Sequence, residues 1–285
     1  MHAPRFHNTT IIGVGLLGAS VALALREKAV CNSIYGYGRT EQNLRQAKER
    51  GIIDGYHLDV RKASENADLI VLATPVGMFR GLAEDIRGSV KKGVLVTDVG
   101  SVKGGLVPEL EALMPDGTHY IGSHPIAGSD RSGISDARAD LFSNAQCIVT
   151  PTAASDKKAA DIIVALWESL GCRVRLLDPF QHDEIYGTVS HLPHIAAYAL
   201  VNTVDDVSAE YMEYAGQGFK DTTRIALSSP EMWRDISILN RENLIRLIGL
   251  FKGNLERLEA LLKEADTAGI EKEFTKAQAL RKKIK

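Results

Sequence analysis

Cysteine is scarce in this chain. The three that occur, Cys31, Cys147 and Cys172, are an odd number, lie far apart in sequence and form no C-x-x-C pair. That pattern speaks against a disulfide framework and against a zinc knuckle, and it suits a reducing compartment. No stretch reaches the ~18 uninterrupted apolar residues that a membrane span needs. The opening Met1-His2-Ala3-Pro4-Arg5-Phe6-His7-Asn8 lacks the apolar run of a secretory signal, so the expected location is cytoplasmic. An excess of one charge sign is missing as well: 34 Lys and Arg stand against 36 Asp and Glu, a formal net charge of -2. Such a balance offers no general field to a nucleic-acid backbone or an anionic membrane, and the expected partners are small molecules.

What is present is enough apolar material for a substantial core: 285 residues, 45% of them hydrophobic and 25% charged. The apolar pattern changes period along the chain. Up to residue 178, short β-branched or apolar runs alternate with helical stretches, as in βα units that feed a parallel sheet. The runs are Thr9-Thr10-Ile11-Ile12, Ser33-Ile34-Tyr35, Leu69-Ile70-Val71-Leu72, Val94-Leu95-Val96-Thr97, His119-Tyr120-Ile121, Cys147-Ile148-Val149 and Val174-Arg175-Leu176. Several are almost wholly apolar, which fits strands covered by helices on both faces. Residues 1–178 are therefore expected to form an α/β, Rossmann-type doubly wound sheet.

After Pro179 the strand signal gives way to apolar residues at three- and four-residue intervals, over 183–204 and 232–265. Residues 179–285 are expected to be an all-α domain. In the second interval Ile236, Leu239, Leu244, Leu247, Ile248, Phe251, Leu255, Leu258 and Leu262 recur over roughly thirty residues, a rod of about 45 Å at the helical rise. A rod so long and so apolar on one side predicts a homodimer through the helical half. The alternative is a helix broken at Gly249 or Gly253 and wrapped on its own domain. The terminal Leu280-Arg281-Lys282-Lys283-Ile284-Lys285 reads as a solvated tail.

Gly13-Val14-Gly15-Leu16-Leu17-Gly18 follows the first strand and opens a helix, the context in which a G-x-G-x-x-G spacing signals a dinucleotide. The first glycine allows the tight turn, the second lets a pyrophosphate approach the backbone, and the third permits close packing of helix on strand. The acidic residue expected ~20 residues on is absent; Tyr35-Gly36-Tyr37-Gly38-Arg39-Thr40 stands there. Arg39, followed by Thr40, favours NADP over NAD, because a guanidinium can grip a 2′-phosphate and no carboxylate repels it. Thr74-Pro75 closes the strand over 69–72 and is expected to border the cofactor's ribose and phosphates.

Reacting groups in such a sheet gather at the carboxyl ends of the strands, where two motifs fall. Asp98-Val99-Gly100-Ser101-Val102-Lys103 follows one strand, and Gly122-Ser123-His124-Pro125-Ile126-Ala127-Gly128 follows another. His124 is the candidate base, taking a hydroxyl proton as hydride leaves the same carbon, and Ser101 is a candidate hydrogen-bond partner for it. In the helical half, Ser190-His191-Leu192-Pro193-His194 sets two histidines three apart. A metal is not expected there, since no third His or Cys stands at a ligand spacing and His182 lies well upstream. Gly216-Gln217-Gly218-Phe219-Lys220-Asp221-Thr222-Thr223-Arg224 brings a guanidinium after a glycine-rich turn, suited to a substrate carboxylate, or to an ion pair with Asp221.

Together these segments make the chain resemble the prephenate dehydrogenase family, which includes arogenate and cyclohexadienyl dehydrogenases. The resemblance runs along nearly the whole chain. It is carried by 13–18, Gly100-Ser101-Val102-Lys103, His124-Pro125-Ile126-Ala127-Gly128, Ser190-His191-Leu192-Pro193-His194, Gly218-Phe219-Lys220-Asp221-Thr222-Thr223-Arg224-Ile225-Ala226 and Met232-Trp233-Arg234-Asp235. It implies oxidative decarboxylation of prephenate to 4-hydroxyphenylpyruvate with NAD(P)+ as hydride acceptor, toward tyrosine. It also implies roles: His124 deprotonates the ring hydroxyl, Ser101 bridges hydroxyl, histidine and nicotinamide, Arg224 binds the ring carboxylate, and His194 holds the side chain. That scheme requires His124 and Arg224 to face one another across one cleft.

Three departures from the family pattern matter. Gly38-Arg39 replaces an acidic residue. Gln217 stands where some relatives carry glycine, which alters the pocket. Asp130 is placed to pair with the ammonium that arogenate has and prephenate lacks, an alternative substrate. Two other readings compete: an NADP-dependent β-hydroxyacid dehydrogenase, which would need a catalytic lysine that no motif here supplies, and a non-catalytic NAD(P)-binding redox sensor.

Overall fold

The apolar runs of the first half become neighbours in one sheet, in a computed structural model that describes residues 4–127 and 133–284. Along the chain come β1 (Phe6–Ile12), α1 (Leu16–Glu27), β2 (Cys31–Tyr37), α2 (Glu41–Glu49), β3 (Gly55–His57), α3 (Val60–Ser64), β4 (Leu69–Leu72), α4 (Phe79–Ile86), β5 (Leu95–Asp98), α5 (Leu106–Leu113), β6 (His119–Ile126), β7 (Gln146–Thr150), α6 (Lys157–Ser169) and β8 (Arg173–Leu176). The strands lie in the order β3-β2-β1-β4-β5-β6-β7-β8. All neighbours are parallel except β6 and β7, which run antiparallel. The first six strands follow the doubly wound order of dinucleotide-binding sheets, in which the chain changes direction between β1 and β4. The glycine turn after β1 and the Thr74-Pro75 loop after β4 both open onto that switch point.

Alternation along each strand explains why the runs look uniformly apolar. Leu69 and Val71 enter one core layer while Ile70 and Leu72 enter the other, and all four are buried. Helices cover both faces, so neither set of side chains meets water.

The sheet differs from the sequence expectation in two places. An eighth strand, β3, lies at the edge beside β2, and its Gly55-Tyr56-His57 is too short and too poor in β-branched residues to show as a run. The expected strand over 119–121 continues to Ile126, so His124 stands in a strand and not in a loop. The cause is tertiary: beyond Ile121 the pairing passes from β5 to the antiparallel β7, with His124 opposite Ile148 and Pro125 opposite Cys147. Pro125 is tolerated because the ladder there has a neighbour on one side only.

The second half is helical. It comprises α7 (Pro179–Tyr186), a π-helical turn (Gly187–His191), α8 (Leu192–Val207), α9 (Gln217–Thr223), α10 (Pro230–Leu239), α11 (Arg241–Lys263) and α12 (Thr267–Arg281), with 3-10 turns at Ala209–Tyr214 and Arg224–Leu227. Asp178 caps α7, its side chain accepting from Phe180 N and Gln181 N, and Pro179 fills the first turn, where its missing N–H costs nothing. The wide turn before α8 precedes Pro193, which cannot donate to the helical ladder. Of the 16 residues of α8, Ala197 is the one that is buried.

The continuous rod expected over 232–265 is two helices, and the break is at Asn240, not at Gly249 or Gly253. The Asn240 side chain is drawn away into hydrogen bonds with the Asp183 carbonyl and His191. The 23 residues of α11 span about 34 Å at the helical rise. The chain forms two compact units, Met1–Asn240 and Arg241–Lys285. Within the second, α11 and α12 are joined by an Arg257–Glu273 ion pair at 3.9 Å. Helix α12, where the sequence suggested little beyond a tail, is capped by Asp266. Among the described residues no helix is long and apolar enough to cross a membrane.

Candidate active site

The glycine turn has the shape a dinucleotide pyrophosphate needs. Gly13 has φ +102°, and a Cβ there would lie 2.6 Å from the backbone of Ala73. A Cβ on Gly18 would lie 2.0 Å from the Gly13 carbonyl, so α1 packs against the turn only without a side chain. Gly15 differs: its Cβ would meet nothing within 4 Å, leaving open space over the uncapped N-terminus of α1. An anion placed in that space meets unpaired amides and the positive end of the helix. Val14 is buried, and Leu16 and Leu17 are half-buried at the start of α1. Thr74 and Pro75 are half-buried, and Arg39 and Thr40 are exposed after β2.

Around the end of β5 the sheet carries a fully buried ion pair. Asp98 accepts from the ammonium of Lys103, from Gly100 N at 2.7 Å and from the Tyr120 hydroxyl at 2.5 Å. Ser123 N donates to the same carboxylate at 3.2 Å, while the Ser123 hydroxyl donates to the Asp98 carbonyl. Breaking one partner of such a pair would leave an uncompensated buried charge, so the loop from Gly100 to Gly104 is firmly tied to β6. Burial first, and the Asp98 charge second, push the Tyr120 hydroxyl well above its usual pKa.

Half-buried at the end of β6, His124 makes a hydrogen bond from Nδ1 to Nε2 of His182, 2.9 Å away on α7. His182 Nδ1 lies 2.8 Å from Asp183 Oδ1, and the Asp183 carboxylate accepts from Lys103 N and Gly104 N, each at 2.8 Å. Tyr186 closes the group, its ring centroid 5.0 Å from that of His124 and 4.6 Å from that of His182. Burial, reinforced by nearby Lys103 and His191, drives His182 down to about 2, and burial lowers His124 well below the ordinary histidine value. Burial raises Asp183 to about 6 against the opposing pull of the two backbone N–H groups.

A second imidazole cluster adjoins the first. Asn240 Nδ2 donates to Nδ1 of His191 at 3.0 Å, and burial lowers His191 to about 4, with Asp183 and the Ser101 backbone acting in the opposite sense. His194 stacks on Trp233 with centroids 3.5 Å apart and donates from Nδ1 to the Ser190 carbonyl at 2.9 Å. Ser101 is half-buried on the loop after β5. Gln217 and Arg224 are exposed, at the start of α9 and just after its end; Asp221 accepts from Gln217 Nε2 at 2.7 Å. Asp130 lies outside the described residues. Among the described residues no three His, Cys, Asp or Glu side chains gather as a metal site.

The structure thus brings together His124, His191 and the Ser101 loop, and it adds residues that the sequence left without a role: His182, Asp183, Asn240, Lys103 and Asp98. Asp98 and Lys103 stood in a recognised motif. His182 and Asp183 had one local signal, the Asp178-Pro179 helix start four residues ahead of them.

Two family models match in succession: the nucleotide-binding domain of prephenate dehydrogenase over residues 21–176 and the dimerization domain of prephenate dehydrogenase over residues 178–276. The chain belongs to the prephenate dehydrogenase family. It is 31% identical to a cyclohexadienyl dehydrogenase of Zymomonas mobilis, covering 98% of this chain and 97% of that one. It is 35% identical to a prephenate dehydrogenase of Lactococcus lactis, over 95% and 75% of the two chains. Among solved structures, that of an Aquifex aeolicus prephenate dehydrogenase in complex with hydroxyphenyl propionate and NAD+ superposes with a TM-score of 0.92, at 37% identity and 98% coverage of both chains. The His124–His182 hydrogen bond joins the two family segments, since His124 lies in the first and His182 in the second.

Proposed function

We propose that this chain catalyses the NAD(P)+-dependent oxidative decarboxylation of prephenate to 4-hydroxyphenylpyruvate and carbon dioxide, a step toward tyrosine, in the cytoplasm. The observation that carries this reading is His124, which has one ring nitrogen tied to His182 and the other without a hydrogen-bond partner among the described residues, at the same carboxyl end of the sheet as the glycine turn. Membership of the family supports it.

Gly13, Val14, Gly15, Leu16, Leu17 and Gly18 hold the pyrophosphate in this reading, with Thr74 and Pro75 along its border. When bound, the nicotinamide accepts a hydride from the ring carbon that bears the hydroxyl. His124 takes the hydroxyl proton, and Ser101 positions that hydroxyl. Arg224 grips the ring carboxylate, and His194, braced on Trp233, holds the side chain. Gln217 shapes the pocket beside Arg224. Loss of carbon dioxide leaves its bonding electrons in the ring, which becomes aromatic as the hydride departs, so the protein's task is orientation and one well-placed base.

Arg39 and Thr40 favour NADP through the 2′-phosphate. The division of labour proposed is 1–178 for the dinucleotide and 179–285 for substrate and dimerisation. The exposed Leu200 and Val207 of α8 support a homodimer through the helical half. Asp130 is the residue proposed to accept an arogenate ammonium. Steady-state rates of the purified protein over prephenate and arogenate, each with NAD+ and NADP+, test the proposal. Turnover of prephenate, faster per unit of cofactor with NADP+, is expected; no turnover in any combination would overturn it.

A further inference from the structure

A neutral imidazole has one N–H and one lone pair, and the partner of one nitrogen decides which nitrogen keeps the proton. In this molecule the decision starts at Asp183. Its two oxygens accept from Lys103 N and Gly104 N, which orients the carboxylate and leaves Oδ1 as an acceptor toward His182. His182 Nδ1, 2.8 Å away, must then carry a proton and donate it, so His182 Nε2 holds a lone pair. The His124 Nδ1 facing that lone pair at 2.9 Å is the donor in turn. Both His182 and Asp183 are buried, so water does not compete for these contacts.

We infer that Asp183 and His182 are positioning residues that hold His124 protonated at Nδ1, leaving Nε2 as the lone-pair nitrogen that takes the substrate's hydroxyl proton. The inference rests on the reading of His124 as the base. Histidine in water prefers the opposite tautomer, with the proton on Nε2, so the dyad converts a poor arrangement into a competent one.

The charged and titratable groups facing the chain act in the same sense. Lys103 and His191 both disfavour protonation of His124 and His182, and Tyr186 packs against both rings. Asp183 is faced by Lys103, His182 and His191, and the Cys147 thiol lies near the His124 backbone. As pH falls through about 6 Asp183 gains a proton. A protonated Asp183 can donate to His182, which reverses the two hydrogen bonds running from Asp183 through His182 to His124 and puts the His124 proton on Nε2. A fall in kcat is therefore expected as Asp183 takes up its proton.

Two substitutions separate this role from packing. His182→Phe keeps an aromatic ring beside Tyr186 and removes both nitrogens. His182→Gln keeps an amide oxygen to accept from His124 and an amide N–H to donate to Asp183. The expected outcome is a kcat about 100-fold lower for H182F with the prephenate KM within about twofold, and recovery to within about tenfold of the parent in H182Q. Nitrogen-15 NMR of histidine-labelled protein at pH 8 should show His124 protonated at Nδ1 in the parent and at Nε2 in H182F. Parent protein with His124 protonated at Nε2, an H182F kcat within twofold of the parent, or kcat and KM failing together in both variants would each overturn the inference. Should H182F not fold, the parent spectrum and H182Q still decide it. Absence of turnover in the parent would sink the functional reading, and the NMR result would still report on the tautomer.

Discussion

Residues 4–178 and the helices from 179 to 240 treat their apolar side chains in opposite ways. In the sheet, β4 and β5 are buried at every position, and the layers on both faces are filled by the chain's own helices. In the helical stretch Val189, Val207, Leu227 and Ile238 are 64%, 68%, 80% and 59% exposed, and Ala197 is the one residue of α8 that is fully buried. Apolar surface left open on this scale marks a contact surface, in keeping with the dimerization-domain model that matches this part of the chain. The contrast teaches a division: the sheet is a finished scaffold, while the helices leave apolar side chains open.

The sheet should therefore carry the base, oriented by His182 and Asp183 of α7, and the later helices grip and assembly, and substitutions can break or sharpen that separation. The largest effect is expected from His124→Asn at the sheet edge, a fall in kcat of about 10³ with dinucleotide affinity unchanged by fluorescence titration. A loss confined to KM would contradict the division. Arg224→Gln, on the helical side, should raise the prephenate KM about thirtyfold while leaving cofactor binding alone, since a charge-assisted contact to a carboxylate is lost. An unchanged KM removes Arg224 from the substrate site.

Placing a carboxylate on α8 through Leu200→Glu should weaken self-association at least about tenfold in sedimentation equilibrium, because a desolvated charge opposes burial. Sedimentation identical to the parent would mean that the exposed face of α8 is not the contact. Arg39→Ala should weaken NADP+ about tenfold and NAD+ less than twofold; equal losses would show that the guanidinium does not read the 2′-phosphate.

The smallest effect is on stability and follows from the buried histidines. His182 and His191 have folded-state values of about 2 and about 4, below the ordinary 6.5. Their contribution is complete above pH 6.5 and is lost as pH falls. Asp183, raised to about 6, works in the other direction below that value. The balance predicts that unfolding free energy from urea titrations drops between pH 6.5 and pH 5, by about 1.4 kcal/mol per pH unit for each net proton excluded from the native state. A flat profile over that interval would mean that these rings are hydrated.

Much of the architecture was legible because it is local. The glycine turn sits within six consecutive residues, and the loss of strand-like runs after Pro179 marks the helical half. The extension of β6 to Ile126 was hidden because glycine and proline in Gly122-Ser123-His124-Pro125 read as a turn until β7 lies beside them. The helix break at Asn240 was hidden for a similar reason: an asparagine within an apolar period looks tolerable, and its pull toward His191, 49 residues earlier, is visible only in three dimensions.

By itself the sequence determined the alternation of strand and helix, the dinucleotide turn and which residue types could do chemistry, since each follows from neighbours a few positions apart. Folding decided which of those residues meet. His124 and His182 are 58 residues apart, and the hydrogen bond that selects the basic nitrogen exists only because α7 returns across the end of β6. Proton position in an imidazole depends on the atom facing it, and no local pattern in a chain specifies that atom.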